Sequence, residues 1–428
     1  MKKFLCLFLL TPIFISAQVL QPEDALRIGL QNNYNIVIAK DAMQADSILN
    51  AAGEAGMLPT VSLAGGLGIN QNNIHQKYAN GNEFISPNAG TNTLNASVLL
   101  NWTLFDGTKM FVTKEKLSDQ QLYGTLGYRT EVLQTSASIL LAYYDVIRNK
   151  QKLNAVNEVI TQNTERLKIN EVRMSSGLGA KTEVNQAKID LNGANEEKFS
   201  AGELLDEAKR KLNTLLARDV NTAFDVPDSV ADRPSPQLAA LTQKMNSANP
   251  DLLALKTQVD ISKLVLRESR TAYYPKLSAQ AGYNFLHTEN TAGFSLYNQS
   301  YGWQTGLTLS VPLYQAGKTK RQVEVSRLEV TDAESRLQQA TLEANLELQN
   351  AFSLYTAKSE MIKLEKENAA LARENMQLAL ERLRDGQGTA LEVQQAQITL
   401  STTLSRLADL QYELVESDID LHLIASDL

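Results

Sequence analysis

The chain has 428 residues, 48 acidic and 41 basic, a net charge of −7, and 43% hydrophobic residues. That balance gives no basic patch of the kind a nucleic-acid partner uses, so none is expected. A single cysteine, Cys6, excludes an internal disulfide and a cysteine-ligated metal site, and three scattered histidines with no nucleophile motif or phosphate-binding glycine-rich loop point away from an enzyme and from any cofactor.

Taken in chain order, Lys2 and Lys3 precede an apolar run from Phe4 to Ile15 that ends in Ser16, Ala17 and Gln18. Residues 1–18 are therefore expected to be a secretory signal, removed after export. Cys6 lies inside the apolar run and not at its end, where the acylated cysteine of a lipoprotein would sit. No later stretch approaches the roughly 18 uninterrupted apolar residues of a transmembrane helix.

Beyond the signal, residues 60–70 alternate Val61, Leu63, Leu67 and Ile69 with Ser62, Ala64, Gly66, Gly68 and Asn70. A period of two predicts a strand. Residues 94–104 do the same, with Leu94, Ala96, Val98, Leu100, Trp102 and Leu104 on one face. Further on, Leu277, Ala279, Ala281, Tyr283 and Phe285 mark a strand over 276–286, and Trp303, Leu307, Leu309 and Val311 one over 301–312. Strands of about ten residues cross a bilayer when tilted. A small soluble sheet packed on a helix gives the same alternation, but Trp102, Phe105, Tyr273, Tyr274, Tyr301 and Tyr314 gather near the strand ends, where interfacial girdles belong. Small polar residues such as Ser62, Gly66, Ser97, Gly306 and Ser310 would line the inner face. The segments 71–92 and 287–300, rich in Asn, Gly, Ser and Thr, read as loops facing the outside medium, with His75 and His287 as ordinary solvated residues.

Four strands cannot close a barrel, and in lipid each open-edge N–H or C=O costs several kcal/mol. Copies of the chain must then share one barrel. Two copies would give about eight strands, a filled interior, whereas three give about twelve and leave room for a pore.

Prolines are absent between Pro87 and Pro227 and after Pro312, which permits very long helices. Apolar residues recur every seven positions through Leu126, Leu133, Leu140 and Ile147, then through Val146, Leu153, Ile160, Leu167 and Met174. Val323, Val330, Leu337, Ala344 and Ala351, followed by Leu364, Leu371 and Leu378, repeat the spacing. Coiled-coil helices are predicted over 109–175 and 318–385, each roughly 100 Å long, with shorter return helices over 180–217 and 389–425. Both are too polar for lipid, so they form a tunnel wall or a rod outside the membrane.

The chain is written twice. Glu165 to Leu191 overlays Glu374 to Leu400 without a gap, with identities at Glu165/Glu374, Arg173/Arg382, Gly177/Gly386, Gly179/Gly388, Glu183/Glu392, Val184/Val393, Gln186/Gln395, Ala187/Ala396, Ile189/Ile398 and Leu191/Leu400. Lys40 matches Lys256 and Pro59 matches Pro275 at a larger offset, so the second repeat is the shorter between the two blocks; the difference falls between Pro59 and Phe105 in one half and Pro275 and Tyr314 in the other, where each half is expected to carry a surface hairpin that tolerates insertions. The predicted plan is a first repeat over 19–217, a connector over 218–237 marked by Pro227, Pro234 and Pro236, and a second repeat over 238–428. Each repeat reads as a helix, a β-hairpin, a long helix and a return helix.

With these features in place the chain resembles the TolC family of outer-membrane efflux proteins over nearly its whole mature length. Trp102-Thr-Leu-Phe-Asp-Gly107 and Val311-Pro-Leu-Tyr-Gln-Ala-Gly317 look like the family's strand-to-helix junctions. The turns from Arg173 to Val184 and from Arg382 to Val393 look like its periplasmic tips. The resemblance implies a mainly α protein with a membrane β-barrel: a homotrimer forming a 12-stranded barrel in outer-membrane lipid and a 12-helix periplasmic tunnel. It implies a passive exit duct for a tripartite efflux or type I secretion system, opened by a periplasmic adaptor (membrane fusion) protein and powered by an inner-membrane RND, ABC or MFS pump. The competing reading is a periplasmic or surface coiled-coil scaffold or adhesin without channel activity.

At the tips, Gly177 and Gly386 suit helix C-termini, and together with Arg173, Leu178, Gly179, Arg382, Gln387, Gly388 and Thr389 they would form the adaptor-binding surface. Glu183 and Glu392 resemble the acidic positions that ring the constricted entrance in relatives, with Gln186 and Gln395 standing where a second acidic residue can occur. Thr389 to Glu392 also reads as a capping box, which would occupy Glu392 with its own helix. Ala180 stands at the matching position of the first repeat, so capping does not account for Glu183.

Overall fold

The computed structural model describes residues 19–230 and 234–428. The expected signal, with Cys6, lies outside the described residues. Twelve elements follow in order: α1 (Pro22–Asn32), α2 (Tyr34–Leu49), β1 (Thr60–Lys77), β2 (Glu83–Phe105), α3 (Lys109–Ser175), α4 (Lys181–Leu215), α5 (Leu238–Ala248), α6 (Pro250–Thr271), β3 (Lys276–Asn290), β4 (Tyr297–Ser310), α7 (Lys318–Arg384) and α8 (Ala390–Ala425). One compact unit comprises residues up to 41, 126–253 and 339–428; the other comprises 42–125 and 254–338.

Two helices, not one, precede each hairpin. An asparagine makes the joint in both cases. Asn33 leaves helical geometry with ψ 130°, its Oδ1 accepts from the Asn35 N–H, and its Nδ2 donates to the Leu215 carbonyl at 2.8 Å. Asn249 likewise turns extended at ψ 116°, accepts from the Asp251 and Leu252 N–H groups, and donates to the Ile424 carbonyl at 2.9 Å. A side-chain amide thus caps the incoming helix and satisfies the end of the return helix at once.

In the second unit the four strands form one antiparallel sheet in the order β1-β2-β3-β4. The register aligns Leu63 with Val98, Val98 with Tyr283, and Tyr283 with Trp303, so one apolar row crosses the whole sheet. The row beside it, Ala64, Ser97, Asn284 and Gly302, is small or polar and points the other way. Leu63 is 79% exposed and Trp303 77%. The strands run further than their alternation indicates. Much of 71–92 is ladder, not loop: His75 pairs with Ile85 and Lys77 with Glu83, with Lys77 and Glu83 ion-paired at 2.9 Å. Backbone pairing in a two-stranded ribbon needs no apolar face, so a polar sequence conceals it.

The first unit holds the core. Tyr143, Ile139 and Ile147 of α3 pack with Leu212 of α4, Leu216, and Phe224 and Val226 of the connector. Leu241 and Met245 of α5 pack with Leu348 of α7 and Leu421 of α8. Toward their junction, α7 and α8 close on Ala369, Ala372, Met376, Ala379 and Leu383 against Val393, Ala396, Leu400 and Leu404. The seven-residue line Leu364, Leu371 and Leu378 is not the buried one; all three are exposed. Alanines on the buried side let the α7 and α8 backbones approach closely, and the leucines are left outward. In α3 the line runs from buried Val146 through half-buried Leu153, Ile160 and Leu167 to exposed Met174, while near the turn Asn163, Arg166, Ile169 and Asn170 are the buried residues.

Candidate functional site

The two helix-to-helix turns, α3 to α4 and α7 to α8, share one backbone solution. Gly177 (φ 74°) and Gly386 (φ 74°) take the left-handed conformation that L side chains avoid. Leu178 N–H then donates to the Arg173 carbonyl at 2.8 Å and Gly177 N–H to that of Met174 at 3.1 Å. Gln387 and Gly386 do the same to Arg382 and Leu383, at 2.9 and 3.2 Å. Each pair of bonds closes a helix end in the Schellman manner. The second glycines meet a different demand. A Cβ on Gly179 would lie 3.1 Å from Met174 N, and one on Gly388 would lie 3.0 Å from Leu383 N, so the returning chain lies flat on the helix it has just left.

On this common backbone the matched side chains part company. Arg173 reaches across to the other turn, donating Nη1 to the Leu383 carbonyl of α7 at 2.7 Å and Nη2 to the Leu178 carbonyl at 3.4 Å. Arg382 stays home: its Nη2 lies 3.4 Å from the Gln387 carbonyl and 3.9 Å from the Glu392 carboxylate.

The two glutamates differ as well. Thr389 caps α8, its Oγ1 accepting from the Glu392 N–H at 3.2 Å, and the Glu392 side chain is exposed. Ala180 offers α4 no such cap. Glu183 is half-buried, its backbone carbonyl accepts from Asn170 Nδ2 at 3.3 Å, and its Oε2 is buried without a partner. Gln186 is exposed and donates to Asp190 Oδ1 at 2.8 Å, and Gln395 is exposed. Leu178, 75% exposed, is the most prominent apolar side chain of the turns.

The model of the family described as outer membrane efflux protein matches residues 27–218 and 241–425, one block on each repeat. This chain belongs to the outer membrane efflux protein family. It is 22% identical to the proteases secretion protein PrtF of Dickeya chrysanthemi, over 96% of this chain and 89% of that one. It is 22% identical to the outer membrane protein TolC of Escherichia coli, over 98% of this chain and 86% of that one. Among solved structures it superposes on the outer-membrane channel OprN with a TM-score of 0.76 at 16% identity, covering 95% of this chain and 90% of OprN. The efflux protein is thus an outer-membrane channel for efflux or secretion, and it acts as a passive duct, not as an enzyme. No helix among the described residues is long and apolar enough to cross a membrane.

Three further features of the channel's turns escaped sequence reasoning. Arg166, 1% exposed, donates Nη1 to Asp190 Oδ2 of α4 at 2.8 Å and lies 3.5 Å from Gln397 Oε1 of α8. Two ion pairs tie α3 to α7: Arg373 grips Glu158 through two bonds of 2.9 and 3.2 Å, and Arg384 meets Glu165 at 2.7 Å. The available signal was the spacing of Asn163, Arg166, Asn170 and Arg173, four polar residues on one helix stripe. That stripe runs beside an apolar seven-residue line whose periodicity is the stronger signal.

Proposed function

We propose that three copies of this chain share one 12-stranded barrel and one 12-helix periplasmic tunnel, forming the passive exit duct of a tripartite efflux or type I secretion system. The observation that carries this reading is the sheet itself. A four-stranded sheet with an apolar row exposed from Leu63 to Trp303 belongs in hydrocarbon. Its outer strands β1 and β4 each have a single partner, and unpaired strand edges in lipid cost several kcal/mol per polar group. Neighbouring copies supply the missing pairings, and a barrel of about twelve strands leaves an open lumen. The outward leucines of α7, Leu364, Leu371 and Leu378, give neighbouring helices an apolar line to pack on in the tunnel wall.

In this reading residues 1–18 are a removed signal, residues 19–217 and 238–428 are the two repeats, and 218–237 is the connector between them. The turns are the periplasmic tips. Leu178, Gly179, Gln387, Gly388 and Thr389 meet a periplasmic adaptor, held in shape by Arg173, Gly177, Arg382 and Gly386. An inner-membrane RND, ABC or MFS pump supplies the energy. Glu183 and Glu392, with Gln186 and Gln395 one turn on, line the entrance and favour cations by Coulomb attraction. Relatives named for protease secretion and for cation efflux indicate the breadth of cargo such a duct passes.

The test is fractionation and electrophysiology. The full-length protein is expected in outer-membrane fractions as a heat-sensitive trimer that conducts ions in planar bilayers, and Glu183→Gln with Glu392→Gln is expected to weaken cation selectivity. Release as a soluble monomer on osmotic shock would overturn the reading, and unchanged selectivity would remove the two glutamates from the entrance.

A further inference from the structure

The gapless match that relates Leu191 to Leu400 continues to the ends of the return helices, where Asn33 bonds the Leu215 carbonyl and Asn249 that of its repeat-mate Ile424. On the same spacing Phe199 of α4 is the mate of Ala408 of α8, and the long helices α3 and α7, of 67 residues each, match end to end. The two mates have opposite surroundings. Ala408 is 4% exposed and Phe199 80%. Lys198, Ser200 and Glu203 around Phe199 are exposed too, whereas their mates Leu407, Asp409 and Tyr412 are half-buried.

That face of α8 is covered by α3. Lys152 meets Asp409 at 2.7 Å, and the Arg148 guanidinium stands 4.5 Å over the Tyr412 ring. Ala155 lines the same cleft as Leu404, Leu407 and Ala408. The mates of Arg148, Lys152 and Ala155 in α7 are Ala357, Met361 and Leu364, and all three are exposed. The chain therefore carries two bare faces, one on α4 and one on α7, that correspond to the two halves of a seam it has already built once.

The order of the strands brings these faces together in a ring of copies. Within the chain, β2 of the first repeat pairs with β3 of the second; in a shared barrel β4 pairs with β1 of the next copy, so the same step recurs between copies. Inside the chain that step lays the return helix of the later repeat, α8, on the long helix of the earlier one, α3. Repeated, it lays α4 of the next copy on α7. We propose that Phe199 anchors the seam between copies, packed against Met361 and Leu364 of the neighbouring copy whose β4 takes up its β1. Resting on the exit-duct reading, this names the residues by which the copies hold one another outside the barrel.

The matched positions fit such a seam. Arg148 opposite Tyr412 becomes Ala357 opposite Glu203, and small Ala408 becomes Phe199, so the bulk lost from one side is regained on the other. Lys152 opposite Asp409 becomes Met361 opposite Ser200, so an ionic contact gives way to an apolar one. An aromatic side chain desolvated in this way carries a large share of an interface's stability, and apolar burial, unlike an exposed ion pair, is not screened by salt.

Crosslinking of the full-length protein in outer-membrane fractions tests the seam. Phe199→Cys with Met361→Cys, treated with a short bis-maleimide, is expected to give covalent dimers and trimers on denaturing gels, and neither single variant to give them. Phe199→Ala is expected to shorten the half-life of the heat-sensitive trimer at a fixed raised temperature by about tenfold, in low and high salt alike. Ile189→Ala, on a side chain exposed as its mate Ile398 is, is expected to leave that half-life unchanged, and circular dichroism to show the helices retained in both. A trimer that yields no crosslink, or is as durable with Phe199→Ala as without it, would overturn the proposal. So would an unaltered trimer that has lost only its binding to a periplasmic adaptor, which would give this face to the adaptor. An intact trimer without these effects defeats the seam alone, whereas a protein that forms neither trimer nor channel defeats the duct and the seam with it.

Discussion

Arg173 donates to the Leu383 carbonyl at 2.7 Å, whereas its repeat-mate Arg382 sits 3.9 Å from Glu392 within its own turn. One arginine therefore couples the two turns of a protomer and the other does not. A hydrogen bond from a charged donor contributes roughly 1.5–3 kcal/mol. Arg173→Ala is expected to raise the open fraction of single channels in planar bilayers several-fold, and Arg382→Ala to change it less. Equal effects from both variants would contradict the crossing role.

Glycine substitutions separate shape from conformation. A Cβ at Gly179 would lie 3.1 Å from Arg173 Cβ and from Met174 N, and the latter cannot rotate away. Gly179→Ala is expected to cost about 1–3 kcal/mol through overpacking. Gly193, inside α4, has nothing within 4 Å of a built Cβ. Gly193→Ala is expected to stabilise by about 0.5–1 kcal/mol through lower backbone entropy in the unfolded chain. Thermal midpoints moving in opposite directions for the two variants would be the expected pattern.

Among the described residues, Arg166 and Asp190 form the most deeply buried ion pair, with side chains 1% and 14% exposed. Removing one member of such a pair leaves the other charge uncompensated and costs about 3–5 kcal/mol. Arg166→Ala is therefore expected to lower the thermal midpoint far more than Arg336→Ala, whose pair with Asp332 is exposed on both sides and is worth at most about 1 kcal/mol. Similar midpoints for the two variants would show that the buried pair is dispensable.

Lys150 fastens the connector to α3, its Nζ lying 2.9 Å from both Asp225 Oδ1 and Asp228 Oδ1. Burial alone pushes the Asp225 carboxyl up, but the hydrogen bonds from Lys150 and the Val226 N–H, with the charges of Lys150 and Lys209, outweigh it and hold the group below its usual range. Burial likewise pulls Lys150 down, and its bonds to Asp225 and Asp228 more than reverse that. A depressed acid contributes stability that is fully present above its unfolded pKa of about 3.9 and is lost as pH falls through the folded value. A raised lysine contributes stability present below about 10.4 and lost as pH rises through its folded value. The stability difference between the native protein and Asp225→Asn is thus expected to be flat near neutrality and to shrink below about pH 4. Thermal melts across pH check it, and a difference that persists undiminished in acid would contradict the clamp.

The alternation of long helix and antiparallel strand was legible because two periods, seven and two, leave separate traces in the sequence. Leu126, Leu140 and Ile147 lie on a buried helix face, and Leu63, Val98, Tyr283 and Trp303 on one sheet face. The ribbon over 71–90 was not legible, since backbone pairing between polar strands leaves no trace. Nor was the true seam of α3: a line of leucines announces itself, while Asn163, Arg166 and Asn170 look like a solvated face until a second helix covers them. The divergence of Arg173 from Arg382 was hidden by the duplication, which places identical residues in turns with unlike neighbours.

The central claim is that copies of this chain complete one another's sheet and so enclose a pore. Recording from planar bilayers to which the purified full-length protein has been added, before and after heating to dissociate it, tests this most directly. Stepwise ion conductance that disappears together with the heat-sensitive trimer is the expected result. A protein that stays soluble and monomeric without detergent, and leaves the bilayer silent, would contradict the account.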